Sequence, residues 1–216
     1  MAPYGTLYTW PGNPRILKSL IAAKMNNLEI VLPEFKFGKD NIDPAWISKF
    51  PMAKVPALET HTEPPVYIAE SAAIAHYLAD VGPAREQLLG ATPAERGRIQ
   101  QWIFHAEEEV MPHVFTGLRP KLGRAVYDAE LEAKALSSLE RIVKVMEKQL
   151  EKSMWLADTE GFSMADLSVA GCLNSGFKLW LNKEWRDKYP KLMEWYNRLS
   201  EDANVKEVYG EQVLLE

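Results

Sequence analysis

The chain of 216 residues is poor in the residues that mark many protein classes. It has a single cysteine and four histidines. Cys172 has no partner for an internal disulfide, which fits a reducing compartment. One cysteine and four scattered histidines form no zinc pattern, and Gly12 and the other scattered glycines form no phosphate loop. No apolar run approaches the ~18 residues needed to cross a bilayer, and Met1 to Trp10 lacks the charged start and long apolar region of a signal peptide. A basic excess is also missing. The 25 Lys and Arg against 30 Asp and Glu give a net charge of −5, which argues against nucleic acid as a partner. The expectation is a soluble, cytoplasmic protein with neither metal nor membrane. The composition is otherwise ordinary, with 47% hydrophobic and 25% charged residues, and excludes disordered, collagen-like and disulfide-scaffold classes. At roughly 100 to 200 residues per domain, one large domain or two small ones are expected.

Proline divides the chain. Ten of the 14 prolines lie in residues 1 to 83 and four in residues 84 to 216. Because proline interrupts helices and strand ladders, the first part should consist of short elements with many turns and the second mostly of long helices. A boundary near Val81 to Ala91 follows, with domains at 1–83 and 92–216.

In the first part, Thr6 to Trp10 reads as a strand. Asn13-Pro14 then supplies an N-cap and a proline at the first helical position, ahead of Leu17, Leu20 and Ile21 on one helical face. Leu28 to Leu32 is a β-branched apolar run expected to be a buried strand. Asp43-Pro44 repeats the cap-then-proline signal for a short helix through Lys49. Ala57 to Glu59 and Val66 to Ala69 flank a polar, proline-bearing turn and predict an antiparallel hairpin, and Ser71 to Ala79 predicts a helix. The order βαβαββα gives a small mixed sheet with helices on its faces.

In the second part, Thr92-Pro93-Ala94-Glu95 is a capping box that starts a long helix towards Val114. Asp128 to Lys152 carries Leu131, Ala135, Leu139, Ile142, Val143, Met146 and Leu150 at helical spacing. Ser163-Met164-Ala165-Asp166 opens a helix, apolar on most faces, that runs through Cys172 to about Leu181. Tyr189-Pro190 precedes a last helix near Leu192 to Leu199.

The sharpest local pattern is Lys54-Val55-Pro56-Ala57-Leu58, a proline at a strand entrance, followed after the hairpin by Glu70-Ser71 at a helix start. A cis proline would turn the Val55 backbone outward to pair with an extended peptide. Ser71 at a helix N-terminus would offer its hydroxyl and N–H to a carboxylate.

At these residues the chain resembles the glutathione transferase family over nearly its whole length. It is similar in particular to the transferase-like domain of the gamma subunit of translation elongation factor one. The similarity is carried by Thr6-Leu7-Tyr8-Thr9-Trp10-Pro11, Ile21-Ala22-Ala23, Lys54-Val55-Pro56-Ala57, Glu70-Ser71, Gly176-Phe177, Glu184-Trp185-Arg186 and Trp195-Tyr196-Asn197. The resemblance implies a fold with an α/β thioredoxin-like N-terminal domain and an all-α C-terminal domain. It also implies glutathione as co-substrate and a homodimer. The implied glutathione site has Val55, after Pro56 has set the turn, pairing with the cysteinyl backbone. Glu70 and Ser71 hold the γ-glutamyl end, while Lys54, with Lys39, faces the glycyl carboxylate.

A free thiol titrates near ~8.5, so a transferase needs a donor, cation or helix end to hold a thiolate. The family's usual Ser or Cys is missing from Tyr8-Thr9-Trp10-Pro11-Gly12-Asn13-Pro14-Arg15. Thr9, Asn13 and Tyr8 are the candidate donors; alternation along the strand points Tyr8 opposite to Thr9. Arg15 either adds positive field or serves as an ion-pair partner within the fold. A second substrate would meet Trp10, His105, Met111, Phe115 and Arg119 in a cleft between the domains, although helical spacing equally makes these core residues. The expected function is addition of the glutathione thiolate to a small electrophilic molecule, ending in conjugation or, by addition and elimination, isomerisation. The alternative is a noncatalytic protein-interaction module of an elongation-factor complex. Ending at Glu216 without that subunit's lysine-rich linker, the chain fits the enzyme expectation better.

Overall fold

The computed structural model describes residues 2–216. The chain divides into two compact units, the first ending at Glu86 and the second beginning at Gln87. In the first, β1 (Gly5–Tyr8), β2 (Ile30–Val31), β3 (Ala57–Thr60) and β4 (Tyr67–Ala69) form one sheet in the order β2-β1-β3-β4. β2 runs parallel to β1, with Gly5 opposite Ile30. β3 is antiparallel to both β1 and β4, pairing Tyr8 with Ala57 and Leu58 with Ile68. Gly5 is required there, because a Cβ would stand 2.8 Å from the Glu59 carbonyl oxygen of the neighbouring strand.

Helix α1 (Leu17–Met25) follows a 3₁₀ turn at Pro14–Ile16, and α2 (Pro44–Lys49) begins after the Asp43 cap. Helix α3 (Ser71–Asp80) completes the βαβαββα order. Asn26, at the end of α1, donates to the carbonyls of Leu78 and Ala79 at 2.7 and 3.2 Å and accepts from Ala84 N at 2.7 Å. These bonds fasten α1 to the end of α3. The expected buried strand over Leu28 to Leu32 is shorter and less covered. Only Ile30–Val31 pairs, at the sheet edge, and Val31 and Leu32 are 37% and 47% exposed. Pro33 cannot donate to a ladder and follows at once.

Helix α4 (Arg85–Leu89) spans the division, within the boundary segment Val81 to Ala91. In the second unit the capping box of Thr92 and Glu95 starts α5 (Pro93–His105) as the sequence predicts. The helix does not continue uniformly to Val114. A π-helical turn covers Ala106–Val110, and α6 (Met111–Lys121) resumes. Pro112 accounts for this: it lacks an N–H and its ring would strike the carbonyl four residues back. Met111 N instead donates to Ala106 O, five residues back, and that oxygen also accepts from Cys172 Sγ at 3.6 Å.

Helix α7 (Ala129–Leu150), capped by Asp128, buries Ala135, Leu139, Ile142, Val143, Met146 and Leu150. Leu131 departs from the expected apolar face. It lies in the first turn and is 54% exposed. Helix α8 (Met164–Leu179) is central and buried on most faces. Its Asp166 accepts from Ser163 N, Ser163 Oγ, Leu156 N and Trp195 Nε1 at 2.8 to 3.2 Å. Burial pushes this carboxyl upward, and the four donors oppose that shift. Short helix α9 (Lys183–Arg186) precedes α10 (Pro190–Ser200), whose Leu192, Trp195, Tyr196 and Leu199 are buried. A further helix, α11 (Ala203–Tyr209), begins at the Asp202 cap.

Candidate functional site

A cavity of about 220 Å³ in the N-terminal unit is lined by Arg15, Lys54, Val55, Pro56, Glu70 and Ser71. Three chain segments meet there: the turn entering α1, the turn entering β3 and the start of α3. The Val55–Pro56 bond is cis. Among the described residues, none hydrogen-bonds the backbone N–H or C=O of Val55. Ser71 is 3% exposed at the first position of α3. Glu70 precedes it at φ 70° and ψ 121°, with no side-chain cap bond. A positive φ at a non-glycine residue costs about 1–3 kcal/mol and persists only where the surrounding structure imposes it. The Glu70 carbonyl accepts from Ile74 N at 2.9 Å, so the backbone serves the helix while the exposed carboxylate faces the cavity.

The opposite approach is held by a buried amide. Asn41 Nδ2 donates to Ala53 O at 2.8 Å, while its Oδ1 accepts from Gly38 N. Ala53, at φ 52°, immediately precedes Lys54 and Val55. The lining therefore presents two cations, one carboxylate, a hydroxyl at a helix N-terminus and an open stretch of backbone.

The three candidate donors of the first strand and turn lie outside that lining. The Tyr8 hydroxyl donates to Glu59 Oε2 at 3.0 Å, and the same carboxylate holds Lys49 Nζ at 2.7 and 2.9 Å. The Tyr8 ring packs among Phe35, Trp46 and Phe50. Burial, aided by Glu59, pushes the phenol up to about 12. Asn13 Nδ2 donates to Thr9 Oγ1 at 3.1 Å, while Asn13 Oδ1 accepts from Arg15 N at 3.1 Å. Both side chains are buried, Asn13 at 2% and Thr9 at 8% exposure. Lys39 is exposed just before the 3₁₀ turn at Asp40–Ile42 and does not line the cavity. Trp10 is half-buried and also outside it.

The candidates of the second unit are not gathered into one cavity. His105 is half-buried at the end of α5, its ring 5.3 Å from Trp102. Met111 is 1% exposed and presents almost no surface. Phe115 is half-buried on α6, and Arg119 lines a separate recess of about 60 Å³ with Thr116 and Glu132. Among the described residues no cluster of His, Cys, Asp or Glu is arranged to hold a metal ion. No helix among them is long and apolar enough to cross a membrane. Arg15, read from the sequence as a source of positive field or an ion-pair partner within the fold, lines the cavity.

A thioredoxin-like sheet with a cis-proline turn and an acid–serine pair, followed by an all-helical unit, defines the glutathione transferase fold. The chain belongs to the glutathione S-transferase family. Residues 3–80 match the family's N-terminal domain and residues 110–203 its C-terminal domain. A glutathione S-transferase-like protein of a Fusarium species is 39% identical over 216 residues, covering 100% of this chain and 97% of that protein. Elongation factor 1-gamma of Danio rerio is 32% identical over 98% of this chain; the chain spans 47% of that protein's length. A glutathione transferase of Phanerochaete chrysosporium, solved in complex with oxidized glutathione, superposes with a TM-score of 0.86. It shares 22% identity over 98% of this chain and 97% of that one, a likeness of fold.

Proposed function

We propose that the chain is a glutathione transferase: it binds glutathione in the 220 Å³ cavity and adds its thiolate to a small electrophilic organic molecule. The observation that carries this reading is the charge plan of the lining. Glutathione has two carboxylates, one ammonium and an extended backbone between them. Ser71 at the head of α3 suits the γ-glutamyl carboxylate, the uncapped carboxylate of Glu70 suits the ammonium, and Lys54 suits the glycyl carboxylate. The open backbone of Val55 suits the cysteinyl residue in the manner of an added strand. The family also supports a homodimer in the cytoplasm. Conjugation and reversible addition leading to isomerisation would use the same sulfur.

Calorimetric titration with glutathione tests the binding, and turnover with activated alkenes and organic halides tests the chemistry. Binding without turnover on any of them would retain the site and remove the enzyme. The second reading is a noncatalytic interaction module, favoured by the 32% identity to elongation factor 1-gamma across nearly the whole chain. No glutathione binding at millimolar concentration would remove the enzyme and leave this reading standing.

A further inference from the structure

We propose that the second unit carries a binding site for a free aromatic α-amino acid, in a cavity of about 380 Å³ that shares no lining residue with the glutathione cavity. It lies between the start of α7 and residues 180–188, which run from the end of α8 through α9. Ala133 and Leu136 of α7, with Leu181, give it apolar walls, and Trp180 gives it an indole. Its volume falls at the lower end of the range for small-molecule pockets, about 300–1,000 Å³. That suits one ring system with a short head group.

The indole is held in place by the protein itself. Trp180 Nε1 donates to Glu132 Oε1 at 2.8 Å. A Cβ at Gly117 would overlap Cδ2 and Cε2, the two fusion carbons of the Trp180 ring, so α6 lies against one face of that ring. Glycine is unfavourable inside a helix, and here it makes room for the indole. The ring is half-buried and keeps surface for the cavity. Trp185 Nε1 likewise donates to Glu140 Oε1 at 3.2 Å, and its ring packs on Tyr189 with centroids 4.8 Å apart. Glu132 and Glu140 stand about two turns apart on α7, so the two bonds fix residues 180–188 against the helix at levels ~12 Å apart.

The charges of the lining select the head group. Glu132 is occupied, its second oxygen accepting from Tyr127 Oη at 2.9 Å. Lys121, Glu184 and Lys188 also line the cavity, and all three are exposed. Among the described residues, none of these three side chains has a hydrogen-bond or ion-pair partner. An aromatic acid would leave Glu184 without a counter-charge, and an aromatic amine would leave both lysines without one. An α-amino acid answers both, with its carboxylate on the lysines and its ammonium on Glu184. Its ring then packs against Trp180 beside Leu136.

Calorimetric titration with L-tryptophan tests the site, beside indole-3-propionate, which lacks the ammonium, and tryptamine, which lacks the carboxylate. Tryptophan should bind at millimolar concentration or below, and about tenfold more tightly than either. Glu184→Gln changes an exposed side chain and should weaken tryptophan about tenfold without weakening indole-3-propionate. Glutamine at both Lys121 and Lys188 should weaken tryptophan without weakening tryptamine. Gly117→Ala displaces the indole of Trp180 and should weaken all three ligands; if circular dichroism shows it to be unfolded, Trp180→Leu takes the same test. No heat with tryptophan at millimolar concentration overturns the site. Indole-3-propionate binding as tightly as tryptophan, with Glu184→Gln without effect, overturns the amino-acid head group in favour of an aromatic acid. Glutathione is absent from these titrations, so their outcome is independent of the glutathione site.

Discussion

Asn13 Nδ2 donates to Thr9 Oγ1 across 3.1 Å, and the two side chains thereby satisfy one another beneath the surface. Their role is to fix the turn that enters α1. Thr9→Val leaves a buried amide hydrogen without an acceptor, costing about 1–3 kcal/mol. Asn13→Ala removes the cap on Arg15 N, costing about 1 kcal/mol. Urea unfolding should show both losses, with the titration of bound glutathione unmoved in Thr9→Val. A large alkaline displacement of that titration in Thr9→Val would restore Thr9 as the activating donor.

Glu70 combines a strained backbone with an uncapped carboxylate, so one substitution should move two observables in opposite directions. Glu70→Gly relieves the positive φ of 70° and should raise stability by on the order of 1 kcal/mol after the entropic cost of glycine. The same change should weaken glutathione binding about tenfold or more, because a charge-assisted hydrogen bond contributes about 1.5–3 kcal/mol. Glu70→Ala should lose the binding without the gain in stability. Thermal melting beside calorimetry checks the pair of signs, and unaltered affinity in both variants would remove Glu70 from the site.

Much of this arrangement was legible in the residues themselves. Cap-then-proline pairs placed the entrances to α1 and α2, the Thr92–Glu95 capping box placed α5, Ser163 to Asp166 placed the start of α8, and two short segments flanking a proline-bearing turn placed the β3–β4 hairpin. Each of these signals is local, a few adjacent residues whose hydrogen bonds close on one another. Two departures come from position within a helix and one from residues far apart in the chain. Leu131 has the right spacing, but its first-turn position leaves it 54% exposed. One helix was expected to run to Val114, yet Pro112 widens the turn before it into π geometry. The convergence of Arg15 with Glu70 across 55 positions required the sheet to form first.

The hydrogen bond from Tyr8 to Glu59 should make stability depend on alkaline pH. The folded-state pKa of Tyr8 is raised from 10.0 to about 12 by burial and by Glu59. The unfolded chain therefore releases this proton first. The contribution is whole below pH 10.0 and is lost as pH rises towards about 12. Tyr8→Phe cannot ionise there, so its urea midpoint should fall less steeply over that window than that of the native protein. Tyr189 and Tyr196, also raised to about 12, leave a residual slope. Equal slopes in the two proteins would exclude Tyr8 as a contributor.

Asn41 reaches the glutathione cavity only through the backbone it holds, which makes its effect separable from that of a ligand contact. It is 4% exposed, and its two polar atoms join Gly38 to Ala53, the residue before Lys54 and Val55. Asn41→Ala breaks both bonds, freeing the loop from the exposed Gly38 to the half-buried Ala53 and leaving a small void at the buried amide. The expected cost is about 1–3 kcal/mol of stability, with glutathione affinity weakened several-fold because Val55 loses its fixed presentation. Asn41→Asp keeps an acceptor for Gly38 N but cannot donate to Ala53 O, so it should retain the loop closure and still lose affinity. Neither variant alters a side chain of the cavity lining, and both should keep the thiol titration of the native complex. Calorimetry on the two variants decides the matter: if Asn41→Asp binds glutathione as the native protein does, the bond to Ala53 does not set the geometry of Val55.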